Sequence, residues 1–349
     1  MRISISTSSL ALLVLLAGGG AGQNRPAPVA TPTATTTPTT TPATTRTTAA
    51  SPEMLLEILP PSDLIAVVDL HQMLKDLQPR LEKIGISGAA KLAANLRQIA
   101  ARSGVDPDQI RYGLLGLSLR SFEASGVMLI DGIDPARNSI EAMLKSYQVE
   151  FSAVDYEGVT MITILTKLNP LELGPFSFKT EDLSIALLGR QRLAIGDTAG
   201  VRKLIDGQKA EKRNAGAENV MNAALRETSS AALLRFAFTL PPALREEALN
   251  QGDLFKSIGS IKVLIGDLSA GQDLTLTLNS IMRTPTPAAA TELLIGLRGL
   301  LILGRTLLAG NPQFTPLLDR IQIRSSAADV SLNITLPPSF LEQMGKTSN

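Results

Sequence analysis

Residues 25–50 of this chain, RPAPVATPTATTTPTTTPATTRTTAA, consist almost entirely of threonine, proline and alanine. A stretch with so few large apolar side chains and so many prolines cannot bury a core. We therefore expect residues 23–52 to form a disordered linker with polyproline II character. Tracts of this kind also accept O-linked sugars, although an unmodified spacer is the simpler interpretation.

The residues before the linker have the layout of a secretory signal. Met1-Arg2 carries a positive charge, LALLVLLA at residues 10–17 is the apolar core, and small residues follow at Gly18–Gly22. We predict that residues 1–22 are a signal peptide cleaved near Ala21, which would place the protein in the periplasm or at the cell surface. The alternative is an uncleaved anchor, but the apolar run is shorter than the roughly 20 residues that span a bilayer.

The composition excludes several classes of function. The chain has no cysteine and one histidine, which excludes disulfides, thiolate metal sites, cysteine nucleophiles and a lipid-modified cysteine. Its formal net charge is +1, so it lacks the positive field with which proteins attract nucleic acid. Tryptophan is absent and aromatic residues make up 3%, which argues against stacking platforms for bases or sugars. We expect no cofactor, no metal and no nucleic-acid partner.

The sequence pattern of the body beyond the linker predicts an α+β fold. Strand-like alternation is clear in the second half, where Leu274, Leu276 and Leu278 alternate with polar residues. Several predicted helices begin with proline directly after a strand. Alternating strands of this kind predict antiparallel hairpins in a sheet that is packed against helices.

The order of the predicted elements repeats across an apolar-poor stretch at Gln208–Gly216. We therefore predict two related halves, residues 53–213 and 214–349, that arose by duplication. The junctions Phe238–Leu244 and Ile334–Phe340 share the sequence Thr-Leu-Pro-Pro. The alternative is that this sequence recurs only because a strand leading into a helix favours proline at the first helical turn.

The most apolar stretch of the body is a predicted helix, Ala288–Leu308. Thr291, Arg298 and Arg305 recur every seven residues and form one polar stripe along it. A membrane span would not carry that stripe without a partner. We therefore expect a buried helix with one wet edge and no transmembrane span in the body. A further alternative is that the apolar face lines a pocket for a lipid or other apolar ligand, with four leucines as its lining: Leu293, Leu297, Leu300 and Leu301.

No catalytic constellation is recognisable in the sequence. His71 falls in the first turn of a predicted helix, and no G-x-S-x-G motif accompanies it. The acidic residues Glu246, Glu247, Asp267 and Asp273 could bind a cation, but helix caps and solvated turns account for them more simply. We expect no catalytic or metal-binding residues.

The body resembles uncharacterised exported bacterial proteins of duplicated α+β build. The resemblance rests on Leu59-Pro60-Pro61-Ser62-Asp63 before the strand Leu64–Leu70. It also rests on a late pattern of an alternating strand, a proline-led apolar helix and a closing hairpin. Families of this kind are known chiefly as domains of unknown function, so the resemblance implies no site residues.

Three hypotheses of function follow. The leading one is an exported, non-enzymatic protein that binds an unknown protein partner or associates with the cell envelope. The second is a periplasmic carrier of an apolar ligand such as a lipid. The third is a hydrolase of unrecognised type, which would need a perturbed carboxylate in a cleft or His71 facing a serine.

The leader and linker make one direct prediction. N-terminal sequencing of the protein from its exporting host should find a mature chain that starts near Gln23, because the glycine-rich segment ends a short apolar core. An intact Met1 would contradict cleavage and would make the leader a membrane anchor.

Overall fold

The computed structural model describes residues 51–84, 106–120, 123–133, 137–146, 148–165, 171–173, 176–178, 182–189, 191–210, 220–250, 253–308 and 315–340. The predicted signal peptide and nearly all of the predicted linker lie outside these ranges. The described residues form the α+β fold that the sequence predicts, with a large antiparallel sheet and several helices.

Fourteen strands in the described ranges belong to one sheet. They are β1 (Leu64–Asp69), β2 (Tyr112–Arg120), β3 (Glu123–Asp131), β4 (Phe151–Tyr156), β5 (Val159–Ile164), β6 (Leu171–Leu173), β7 (Phe176–Phe178), β8 (Leu183–Leu187), β9 (Arg192–Asp197), β10 (Leu234–Phe238), β11 (Val263–Ala270), β12 (Leu276–Arg283), β13 (Ile321–Ser326) and β14 (Asp329–Leu336). The main path runs β13-β14-β12-β11-β10-β1-β2-β3-β9-β8-β5-β4, and every pair along it is antiparallel.

Helices cover both faces of this sheet. They are α1 (Pro52–Leu56), α2 (Leu70–Gln72), α3 (Gln78–Lys83), α4 (Arg137–Ser146), α5 (Thr198–Ala210), α6 (Val220–Leu225), α7 (Pro242–Asn250), α8 (Asp253–Gly259), α9 (Pro287–Leu308) and α10 (Thr315–Leu318). A π-helical turn at Met73–Leu77 joins α2 to α3, and a 3-10 turn lies at Pro107–Gln109.

Helix starts follow the capping residues in the sequence. The Ser51 hydroxyl accepts a bond from the amide of Met54, and Pro52 occupies the first turn of α1. Asp69 ends β1 and its carboxylate accepts a bond from the amide of Gln72 at 2.8 Å. Asp197 ends β9 and bonds the amide of Gly200 at 2.7 Å in the same way. At each of these two junctions, a single aspartate therefore ends the strand and caps the helix that follows.

The two halves meet where β1 pairs with β10. Ala66 lies opposite Phe236 in this antiparallel pair. On one side the order is β1-β2-β3-β9-β8, and on the other it is β10-β11-β12-β14-β13. In the first half, β9 of the hairpin β8–β9 pairs with β3, and in the second half, β14 of the hairpin β13–β14 pairs with β12. The second strand of a later hairpin therefore pairs with the third strand of its half in both cases. The hairpin β4–β5 occurs in the first half only. This shared order is the pattern that a duplication would give, and common ancestry of the halves stays a prediction.

Side chains alternate between the two faces of the sheet. We call the side that carries Ile65, Ala237 and Ile265 the α5 face, since these residues pack in one cluster with side chains of α1, α5 and α6. We call the opposite side the α9 face. On it, α4 packs in the first half, and α8 and α9 pack in the second half.

One sequence-based expectation was wrong. Helix α9 has the expected extent, but it is not a buried helix, because Ala290 and Leu293 are the only fully buried side chains described in it.

Two glycines give opposite stability predictions. A Cβ at Gly266 would lie 2.4 Å from Phe236 Cζ and 2.7 Å from the backbone oxygen of Asn279. We expect Gly266→Ala to lower the free energy of unfolding by about 1–3 kcal/mol through overpacking. In α9, a Cβ at Gly299 meets no atom within 4 Å, so Gly299→Ala should stabilise the helix by up to about 1 kcal/mol. Urea denaturation of both variants tests the pair, and the reverse order would contradict the packing described.

Candidate functional site

The N-terminal half of α9 is fixed firmly to the sheet. Thr286 caps the helix through its hydroxyl, which accepts a bond from the amide of Ala289 at 3.2 Å. Just before it, Thr284 is buried and its hydroxyl donates to the carbonyl oxygen of Ala328 at 2.8 Å. Ala290 and Leu293 are fully buried and pack in one cluster with side chains of β12 and β14. The start of the helix is therefore tied to the turn between β13 and β14.

The rest of α9 exposes large apolar side chains to solvent. Ile295 is 65% exposed, Ile302 63% and Leu307 73%, and Leu300 and Leu303 are also exposed. On a helix, Ile295 and Ile302 form one stripe and the three leucines form the adjoining stripe. We call these five residues the exposed apolar side of α9. Contiguous exposed apolar surface of this kind marks contact sites for proteins, ligands or membranes.

By length and composition, Pro287–Leu307 could cross a membrane, and it is the one helix in the described ranges that passes this test. The core helices of soluble proteins share that property, but they are buried and this helix is not.

The exposed apolar side of α9 also carries polar groups, because Glu292 and Thr306 are exposed between its two stripes. Arg298 and Arg305 are exposed along its border, and Arg305 Nη2 lies 3.0 Å from Asp319 Oδ1 beyond α10. The hydroxyls of Thr291 and Thr306 each donate to the helix carbonyl four residues earlier, at 3.1 Å. Neither hydroxyl therefore needs water as a partner.

Strands of the second half carry a row of polar side chains on the α5 face, some of them hydrogen-bonded to each other, and we call this row the polar ladder. Arg235, Asp267, Asn279, Asn333 and Gln322 lie opposite one another across β10, β11, β12, β14 and β13. Asn279 Nδ2 donates to Asp267 Oδ1 at 3.1 Å, and Asn333 Nδ2 donates to Asn279 Oδ1 at 2.7 Å. Along β13 and β14 the second half therefore has a polar side on the α5 face and an apolar side on which α9 is the outer layer.

The four leucines expected to line a pocket lie in different environments. Leu293 is fully buried, and Leu297 is partly buried against the same cluster. Leu301 is partly buried, whereas Leu300 belongs to the exposed apolar side. Whether an apolar ligand contacts them stays a prediction.

The polar residues that could be considered for catalysis make contacts that hold parts of the fold together. His71 is exposed in α2, and its backbone amide donates to the carbonyl oxygen of Arg111 at 3.1 Å. Among the described residues, no group of three or more His, Asp or Glu side chains could hold a metal ion. Asp131 is buried at the end of β3, where Arg111 Nη2 lies 2.7 Å from its Oδ2 and Arg192 lies on its other side.

The shifted pKa values near the sheet follow from burial, an ion pair and a turn. Burial opposes ionisation of Glu53, but hydrogen bonds from its own backbone amide and from the buried Arg235 outweigh it and hold the pKa of this carboxyl below its usual value. Burial, reinforced by the negative charges of Asp69 and Glu53, raises the pKa of Tyr112. The Thr275 hydroxyl, with the Thr275 amide, lowers the pKa of Asp273 in a turn. Each of these pKa shifts is explained by burial or by contacts that belong to the fold.

Comparison with known proteins gives only distant similarities. No protein-family model matches the chain, and no curated protein matches it. Among solved structures, crystal form III of TP0453 is similar with a TM-score of 0.42 and 9% identity, over 86% of this chain and 98% of that chain. Crystal form I of TP0453 gives a TM-score of 0.43 and 8% identity over the same shares of the two chains. Nothing about function follows from similarities at this level.

Proposed function

We propose that this chain is an exported, non-enzymatic protein that associates with the cell envelope by laying α9 on a lipid bilayer. The observation that carries the proposal is the exposed apolar side of α9. An interfacial helix needs an apolar side, satisfied polar groups and basic residues at its border. Helix α9 has the apolar side and a bordering arginine, the hydroxyls of Thr291 and Thr306 are bonded within the helix, and the exposed Glu292 lies one turn before Ile295. At 22 residues the helix extends about 33 Å along the surface.

The energy of this contact suits reversible binding. Fully burying a leucine or isoleucine that was exposed contributes about 1.5–3 kcal/mol. The five residues of the exposed apolar side are between 36% and 73% exposed. Inserting them would therefore contribute on the order of 5 kcal/mol, which is comparable to the marginal anchoring by one acyl chain. Arg298 would add attraction to anionic headgroups of about 1 kcal/mol, whereas Arg305 is already paired with Asp319.

The layers of the second half support one orientation on the membrane. Helix α9 is the outer layer on the apolar side, and the ladder through Asp267, Asn279 and Asn333 is on the opposite face of the same strands. With α9 on the bilayer, the ladder lies on the side away from the membrane. This placement leaves no polar side chain of the ladder in the acyl region, where it would be costly.

A tryptophan reporter tests the contact, because the chain has no tryptophan of its own. We expect the emission of Ile302→Trp to shift to shorter wavelength with vesicles of phosphatidylglycerol and phosphatidylethanolamine, and to be quenched when the acyl chains are brominated. The matched control is Ser331→Trp on the polar side, whose emission should not change.

Flotation of the purified exported chain with the same vesicles gives the second measurement. The double variant Ile302→Asp, Leu303→Asp should bind at least about tenfold more weakly, because two inserted side chains become charged. Ser326→Asp, Ser331→Asp adds the same charge on exposed positions of the other side and should bind nearly as the parent does. Equal loss of vesicle binding in both double variants would show that added charge alone weakens binding. A parent chain that does not float with the vesicles would refute the proposal.

A further inference from the structure

Strand β13 forms one end of the sheet. It pairs with β14 along one side, and among the described residues no strand pairs with its other side. Four of its six residues are exposed, namely Gln322, Arg324, Ser325 and Ser326. An edge strand of this kind presents a row of backbone donors and acceptors to solvent.

The register of the hairpin β13–β14 shows which backbone groups of β13 point outward. Its two-residue turn is closed by Ser326 and Asp329, so these two residues exchange both of their backbone hydrogen bonds. Bonded pairs alternate along an antiparallel ladder, and every second residue of β13 therefore bonds to β14. The residues between them, whose amides and carbonyls point away from the sheet, are Ile321, Ile323 and Ser325. In the described part of the chain, no backbone group bonds to these outward amides and carbonyls.

The two ends of the sheet differ in how far they discourage a further strand. Edge strands are commonly blocked by proline, by a bulge or by a charge on the packed face. At the far end, β4 carries Asp155 on the same face as Phe151, which packs with side chains of α4. Strand β13 contains no proline, and it pairs with β14 over six consecutive residues without a bulge. Its one charged residue, Arg324, is on the opposite face from α9, so its edge is open to another strand.

A second copy of β13 satisfies the outward groups in one register. Two copies of a strand that pair about a two-fold axis run antiparallel. When the axis passes through Ile323, this residue lies opposite Ile323 of the other copy, and Ile321 lies opposite Ser325. Every outward amide and carbonyl of these three residues then has a partner. A shift of two residues in either direction leaves part of them without one.

The side chains on the α5 face favour the same register. With the axis at Ile323, Gln322 of each copy lies opposite Arg324 of the other, so an amide oxygen faces a guanidinium donor. The two side chains already form this type of bond within one copy, where Arg324 Nη2 lies 3.2 Å from Gln322 Oε1. A shift of two residues would place Arg324 opposite either Arg324 or Arg320 of the other copy, and like charges in that position are destabilising.

This pairing keeps each face of the sheet on one side. The two-fold axis of an antiparallel strand pair is perpendicular to the sheet, so residues that lie opposite one another share a face. Ile323 of β13 and Leu332 of β14 pack in one cluster with Leu297 of α9, which therefore lies above these two strands. The α9 helices of both copies would be neighbours on the same side of a joined sheet.

We propose that β13 pairs antiparallel with β13 of a second copy of this chain, centred on Ile323, and that the dimer presents two α9 helices to one membrane. The pairing stands without the proposed function, whereas its consequence at the membrane rests on it. One α9 gives only marginal anchoring, and two linked contacts bind more tightly than one. Because a single strand pair is a small interface, the dimer should be weak in solution and stronger on a bilayer.

Sedimentation of the purified exported chain tests the pairing. We expect a monomer–dimer equilibrium in the parent chain and in the matched control Ser325→Ala. Ser325→Pro removes an outward amide and places a ring in the path of the second strand, while the amides that bond to β14 remain. Its dimerisation should weaken at least about tenfold, with an unchanged far-UV circular dichroism spectrum. A parent chain that stays monomeric up to about 100 μM, or equal dimerisation of both variants, would overturn the pairing.

Cysteine crosslinking tests the register, because the chain has no cysteine of its own. Gln322→Cys in one copy and Arg324→Cys in the other would lie opposite each other, about 4.5 Å apart between Cα atoms, which is within reach of a disulfide. A mixture of the two variants should therefore crosslink faster than either variant alone. The control mixture of Ser331→Cys with Arg324→Cys should not, since Ser331 lies one strand further from the axis. Equal crosslinking in both mixtures would overturn the register.

The pairing and the membrane contact fail in different ways. In flotation with the vesicles described above, Ser325→Pro should bind at least about tenfold more weakly than Ser325→Ala, because one α9 replaces two. A parent chain that dimerises but does not float would retain the pairing and refute the membrane contact. A parent chain that floats but stays monomeric would retain the membrane contact and refute the pairing. Equal flotation of the two variants would refute the role of the dimer at the membrane.

Discussion

The antiparallel pairing of β1 with β10 is the interaction on which the rest of the structure depends. It joins the strands of both halves into one sheet, so that the two faces of the first half continue into the second. Because side chains alternate along each strand, this register decides which face of the second half continues each face of the first. A slip of one residue would place α9 and the apolar residues beneath it on the α5 face of the first half.

Helices cover the two faces of the sheet to different degrees, and the proposed function depends on this difference. The α5 face of the central strands is sealed by α1, α5 and α6. The α9 face is covered in part, and its outer helix directs Ile302 and Leu307 into solvent. Burying that surface against a bilayer would remove the largest exposed apolar feature that we describe. The linker and signal predicted from the sequence would give the chain access to such a surface.

Local features of the fold could be predicted from the sequence, whereas contacts between distant segments could not. Ser51, Asp69 and Asp197 mark helix starts because capping depends on neighbouring residues only. The alternation around Asn279 and Asn333 shows which side chains share a face, but the ladder between them depends on pairing of β12 with β14. The period of α9 identifies its stripes without revealing which stripe meets the sheet. Its burial was therefore mispredicted, since composition alone does not separate a core helix from an exposed one.

Hydrogen exchange of the parent chain, with and without vesicles of phosphatidylglycerol and phosphatidylethanolamine, tests the central claim most directly. It reports on α9 and on the rest of the fold in one experiment and needs no substitution. The account predicts slower exchange with vesicles in peptides that cover residues 295–307, and unchanged exchange in peptides of α5, which packs on the opposite face. Unchanged exchange throughout α9, in a chain that does bind the vesicles, would contradict the claim that this helix makes the contact.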